Sequence, residues 1–220
     1  MKNKNKALIS VVIAIHNEDK HIGRCLRSLL SQNISKELFQ IVVVNDGSSD
    51  KTSYALGLFS GDIIVINNQK NLGLPASLNK AIDYINTKYF VRVDGDDYVG
   101  NNFLLFLYSF IINNKHMDAI ACDYNLINEK EKVLERKNCM KDPIACGIIF
   151  QTDQIVKIGL YDESFLLHEE RDLRIRFLKK YNIHRLELPL YRYRQHDNNI
   201  TNNKEAVENH MSHLISKHNL

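Results

Sequence analysis

Apolar and polar positions alternate in blocks over the first hundred residues. Residues 8–15 (LISVVIAI) form a continuous, largely β-branched run, and 40–45 (QIVVVN), 62–66 and 89–93 (YFVRV) repeat it. Such runs are the pattern of parallel strands covered on both faces. Between them the period changes. Ile22, Cys25, Leu26, Leu29 and Leu30 recur at helical spacing, with Arg24, Arg27 and Ser28 on the other side. A short helix is expected over 51–58, and another from Pro75, in its first turn, to about residue 85. The order β-α-β-α-β-α-β predicts an α/β sheet with right-handed crossovers.

The second half is looser. A helix is predicted over 101–113, a strand pair over 118–127 and 132–136, and short strands over 184–188 and 190–194. Residues 143–150 are apolar without a clear period, 152–158 read as a short helix, and a longer helix starts at 168–172 and runs to 181. No repeat or linker divides the chain, so residues 1–220 read as one domain.

Strand ends carry the unusual polar residues. His16, Asn17, Glu18 and Asp19 follow the first strand and are placed to cap the next helix. Asp46-Gly47 follows the second strand, Asn67-Asn68 the third, and Asp94-Gly95-Asp96-Asp97 the fourth. In open α/β sheets, ligands sit at the carboxyl ends of the strands. Three neighbouring carboxylates repel one another unless a cation compensates them, and oxygen-only donors suit Mn2+ or Mg2+. A capped turn is the structural alternative for both Asp clusters, with Asp50 as the cap after Asp46-Gly47-Ser48-Ser49. No glycine-rich phosphate loop occurs, which leaves phosphate handling to a metal and basic side chains.

Composition narrows the class without naming a function. The 220 residues carry 29 basic and 26 acidic side chains, a net charge of +3, which gives no sign of nucleic-acid binding. Hydrophobic residues make up 44% of the chain, enough for an ordinary core without disulfide or metal staples. Cys25, Cys122, Cys139 and Cys146 lack CxxC spacing and read as reduced thiols of a cytoplasmic protein. The longest apolar run, 103–112, is too short to span a membrane.

Taken in order, the segments SVVIAIHNE (10–18), LLSQ (29–32), VNDGSSD (44–50), NLGLPASLN (71–79), VDGDD (93–97), IGLYDESF (158–165), EERDL (169–173) and YRQH (193–196) resemble the family 2 glycosyltransferases. The resemblance implies a GT-A fold, a Rossmann-like, mostly parallel central sheet with helices on both faces and a smaller antiparallel acceptor-side portion. It implies a nucleotide-sugar half at about 8–100, an acceptor half at about 101–201 and a helical tail at 202–220. The implied reaction moves one sugar from a nucleoside-diphosphate donor to an acceptor hydroxyl with inversion. The alternative is a non-catalytic nucleotide-sugar-binding module.

By the same resemblance, Ile15, Asn17, Glu18, Asp46, Asn71, Asp94, Gly95 and Arg194 bind the nucleotide sugar. Asp96 and Asp94, with His196, hold a divalent metal, Mn2+ or Mg2+. The acidic helix start supplies the catalytic base, with Glu170 standing where the family commonly has Asp and Glu169 and Asp172 as rivals. Helical spacing sets Glu170 over Leu173 and Phe177, which favours it as the inward carboxylate. Expected partners are the donor and a glycan or lipid-linked acceptor, in surface polysaccharide synthesis at the cytoplasmic side of a membrane. The polymerases' QxxRW motif is absent, so single-sugar addition is expected. The tail can pack as a helix, pair two subunits or touch a membrane surface; its apolar positions favour packing.

Overall fold

The computed structural model describes residues 7–165, 167–195 and 212–218. The strands β1 (Ile9–Ile15), β2 (Phe39–Asp46), β3 (Ile64–Asn68) and β4 (Tyr89–Arg92) lie in the order β3-β2-β1-β4, all parallel. Helices α1 (Ile22–Leu30), α2 (Thr52–Gly57) and α3 (Leu74–Tyr84) connect them. The parallel register pairs Ile15 with Asn45 and Asp46 with Asn68, so the polar strand ends share one edge of the sheet.

Alternate residues of the apolar runs enter opposite layers, as strand geometry requires. Val11 and Ile13 pack with Leu26, Phe103 and Leu107, whereas Val12 packs with Val42, Leu78, Phe90 and Phe177. The first layer is covered by α1 and α4 (Phe103–Asn113), the second by α3 and α6 (Glu169–Leu178). Ser28 lies on the buried face of α1, not outside it. Its hydroxyl donates to the Cys25 carbonyl and accepts from the Val99 N–H, which satisfies its polarity there.

Beyond β4 the sheet becomes mixed. The strand β8 (Ile148–Gln151), drawn from the ambiguous apolar segment, pairs antiparallel with both β4 and β6 (Ala119–Ile127). β6 carries the hairpin partner β7 (Val133–Lys137) on one side and the last strand, β9 (Ile183–Arg194), parallel on the other. The two short strands expected around Pro189 are this one strand. Register shifts against β6 at Asp123 absorb Pro189, which has no N–H to give to a ladder. A two-residue strand, β5 (Tyr98–Val99), pairs with β9 and ties the Asp94–Asp97 turn to the second half. The short helix α5 (Thr152–Lys157) follows β8.

Within the expected tail, residues 212–218 are helical. Leu214 is buried, and Lys217 and His218 bond Asp172. No helix among the described residues is long and apolar enough to cross a membrane.

Candidate active site at the carboxyl edge of the sheet

The side chains after β1 do not cap α1, whose N-terminus lacks a side-chain cap. They tie the β1 loop to the β2 loop instead. Asn17, at φ 58°, accepts from the Ser49 N–H at 2.8 Å, while the Glu18 N–H donates to Thr52 Oγ1 and the Asp19 N–H to Asp50 Oδ2. Asp50 also accepts from the Thr52 N–H at 2.9 Å, a turn contact just before α2, whose N-cap is Lys51 and not the expected Asp50.

Asp46 is buried, and its carboxylate accepts three internal bonds: from Asn68 Nδ2 at 2.7 Å and from the N–H groups of Leu72 and Gly73 at 2.9 Å. Those bonds fix the loop that opens α3, where Asn71 accepts from the Gly73 N–H. Gly47 permits the close approach. It has φ +65°, and a Cβ there would lie 2.5 Å from the Lys70 carbonyl carbon. Gly95 is equally constrained, because a Cβ would meet Ile15 Cγ2 at 2.4 Å and Glu18 Cγ at 3.6 Å. Ile15, Glu18, Gly95 and the acidic turn are thereby brought together.

The centre of the edge is an ion-pair relay that no sequence motif marks. Arg92, the last residue of β4, has a side chain only 4% exposed. Its Nε donates to Asp94 Oδ1 at 2.8 Å, and its Nη1 donates to Glu169 Oε1 at 2.9 Å. Burial opposes the Arg92 charge, but its surroundings, Asp94 foremost and Glu169 among the others, hold its pKa well above the ordinary value. Cys146 completes the surroundings of Asp94, its thiol donating to Oδ2 at 2.8 Å. Burial, reinforced by Asp94, pushes the Cys146 pKa well up, so the group is a thiol.

Asp97 is the enclosed member of the trio. It accepts from the Tyr191 hydroxyl at 2.8 Å and from the Arg194 N–H at 2.7 Å, and burial, then the charges of Asp96 and Asp94, raise its pKa well above the carboxylate range. Arg194, expected at a diphosphate, is buried and bonds the Asp96 carbonyl at 2.8 Å and Glu131 at 3.4 Å.

The metal ligands expected were Asp94, Asp96 and His196. The donor atoms gathered within 4.8 Å of one another are those of Asp94, Asp97 and Cys146, because β5 and β9 draw Asp97 inward. His196 lies outside the described residues. Asp96 is half-buried at the same edge. The carboxylates of Asp94 and Asp96 are hard oxygen donors of the kind Mn2+ or Mg2+ takes, whereas the Cys146 thiol is not, and Asp94 already accepts from Arg92 and Cys146.

On α6 the structure separates the three acidic candidates, and the inward one is not Glu170. Glu169 is buried against Arg92, since a buried guanidinium requires a counter-charge, and burial raises its pKa while Arg92 opposes the shift. Asp172 is fully enclosed by Arg176, Lys217 and His218. Burial works against its charge, and the hydrogen bonds from Arg176, Lys217 and His218 outweigh that effect to lower its pKa. Glu170 is half-buried and lines a cleft of about 600 Å³ between α6, β8 and the loop at 141–145.

The family model for glycosyl transferase family 2 matches residues 10–183. The chain belongs to that family. It is therefore a glycosyltransferase, and its fold is of the GT-A type. An uncharacterized glycosyltransferase of Rickettsia typhi is 27% identical over 219 residues, covering 91% of this chain and 68% of the relative. The poly(ribitol-phosphate) beta-glucosyltransferase of Bacillus spizizenii is 36% identical over 111 residues, 49% of this chain and 18% of that enzyme. The chain thus spans between about a fifth and two thirds of these relatives' lengths.

Among solved structures, S. aureus TarS 1–349 with UDP-GlcNAc superposes at a TM-score of 0.78 and 19% identity, covering 94% of this chain and 66% of TarS 1–349. The mannosyltransferase PcManGT of Pyrobaculum calidifontis, in complex with GDP-Man and Mn2+, gives 0.76 at 14% identity, covering 96% of this chain and 64% of PcManGT. At these identities the likeness is one of fold.

Proposed function

We propose that this glycosyltransferase moves one sugar from a nucleoside-diphosphate donor to an acceptor hydroxyl in a single inverting displacement, in the assembly of a surface polysaccharide. One observation carries the reading: Arg92 joins the donor-side carboxylate Asp94 to the first residue of α6, and the next residue, Glu170, faces the cleft. Donor half (8–100) and acceptor half (101–201) would meet across that relay. The nucleotide-sugar complexes of TarS and PcManGT, and the polymer named for the Bacillus relative, support the substrate classes.

In this reading the nucleoside lies along Ile15, Asn17, Glu18 and Gly95, with Asp46 and Asn71 shaping the adjoining loop. Asp94 and Asp96 would hold Mn2+ or Mg2+. When bound, the ion offsets the charge that grows on the departing diphosphate. Glu170 accepts the proton of the acceptor hydroxyl as its oxygen attacks. Glu169 stays with Arg92 and holds the start of α6 in place. Asp172 anchors α6 to the 212–218 segment.

Glu170→Gln tests the assignment. Transfer is expected to fall by about 100-fold or more with donor binding retained. Unchanged turnover in that variant, with loss in Glu169→Gln instead, would move the base by one residue.

A further inference from the structure

Arg174 stands apart from most arginines of the chain. Arg24, Arg92, Arg136, Arg176, Arg185 and Arg194 each bond a carboxylate. Arg174 sits one turn beyond Glu170 on α6, half-buried, and its polar contact among the described residues is Nη2 to Met140 Sδ at 3.9 Å. Burial pulls its pKa below the ordinary arginine value, with no carboxylate holding it up. Both residues line the 600 Å³ cleft. Lys141 and Arg171 add positive charge at its wall against one further acid, Asp142, and Phe150 and Leu214 are among its apolar lining. A partly desolvated guanidinium without a counter-ion, opening into a cavity, is a place for a planar anion, and phosphate and carboxylate match its fork.

We propose that the cleft beside Glu170 binds a phosphate-ester group of the acceptor, with Arg174 as its main contact and Lys141 as a second. The proposal rests on Glu170 as the base, because that places the acceptor hydroxyl at this cleft. Phosphate is favoured over carboxylate because more than one cation lines the cleft and a phosphate ester offers more acceptor oxygens. Arg174 is then a specificity residue. It selects charged acceptors, while Glu170 acts on the hydroxyl they carry.

Saturation-transfer NMR on the full chain tests this with ribitol 5-phosphate, ribitol, farnesyl phosphate and inorganic phosphate. Ribitol 5-phosphate is expected to bind about tenfold or more tightly than ribitol, with inorganic phosphate competing. Arg174→Met is expected to remove about tenfold of that affinity, Lys141→Met less, and Arg174→Lys to recover part of the loss. Uridine diphosphate binding should be unchanged in these variants. Preference between ribitol 5-phosphate and farnesyl phosphate distinguishes a polyol chain from a lipid carrier.

Equal binding of ribitol and ribitol 5-phosphate, or unaltered affinity in both Met variants, overturns the proposal. The base assignment fails separately. Full transfer by Glu170→Gln with phosphate binding intact would remove the base while leaving the anion site standing.

Discussion

Replacing Arg92 with Met should expose how much of the fold depends on the relay. Its guanidinium lies 2.8 Å from Asp94 and 2.9 Å from Glu169, with side-chain exposures of 4%, 27% and 6% for the three groups. At an effective dielectric of about 20, each contact is worth roughly 6 kcal/mol of gross attraction. Desolvation of the ions cancels most of this, but Met leaves two carboxylates facing one another without a cation. Breaking a buried pair in this way costs about 3–5 kcal/mol, a large part of the ~5–15 kcal/mol that holds a domain together.

Urea denaturation at neutral pH reads the difference as a lowered midpoint with an unchanged slope. The double variant Arg92→Met/Glu169→Gln should recover part of the loss, since it removes the stranded buried charge. A loss under about 1 kcal/mol in Arg92→Met, or no recovery in the double variant, would refute the relay as a structural element.

Other perturbations test the same edge. Gly95→Ala forces a methyl into Ile15, 2.4 Å away, and should destabilise the domain by about 1–3 kcal/mol in urea while weakening nucleotide binding. Asp123 is buried, and despite the opposing effect of burial, hydrogen bonds from Arg185 and Arg136 hold its pKa below the carboxylate range. Its contribution to stability is therefore complete above about pH 4 and is lost as pH falls through the lower folded value. Melting temperature recorded from about pH 3 to about pH 7 should drop steeply at the acid end in the native chain and less in Asp123→Asn. Asp96→Asn should leave the unfolding free energy in urea within about 1 kcal/mol of native while abolishing any Mn2+-dependent nucleotide binding.

The parallel half was legible because strands buried on both faces are written as unbroken apolar runs. Their polar endings then had to converge on one edge, and Ile15, Asn17, Asp46 and Asp94 do so. Arg92 was not legible. An arginine inside a strand carries no periodic signal, and its partner Glu169 is 77 residues away. Tyr191 and Cys146 reach the acidic turn through β9 and the segment before β8, where length and hydropathy gave no motif.

Spacing also misjudged α6. Acids occupy both its buried and its open faces, so a period drawn through Leu173 and Phe177 could not separate Glu169 from Glu170. That choice was made by the buried guanidinium on β4, which the helix sequence does not contain.

On the proposed reading, the carboxyl edge of the sheet takes a nucleoside diphosphate with a divalent ion at Asp94 and Asp96. Thermal unfolding with uridine, guanosine and thymidine diphosphates, each with and without Mn2+, tests it most directly, because a ligand of the folded state raises the melting temperature. One of the three should raise it by several degrees (about 2–4 °C per kcal/mol of binding for a chain of this size), with Mn2+ enlarging the shift and Asp96→Asn erasing that enlargement. No shift with any of the three, with or without the ion, would contradict it.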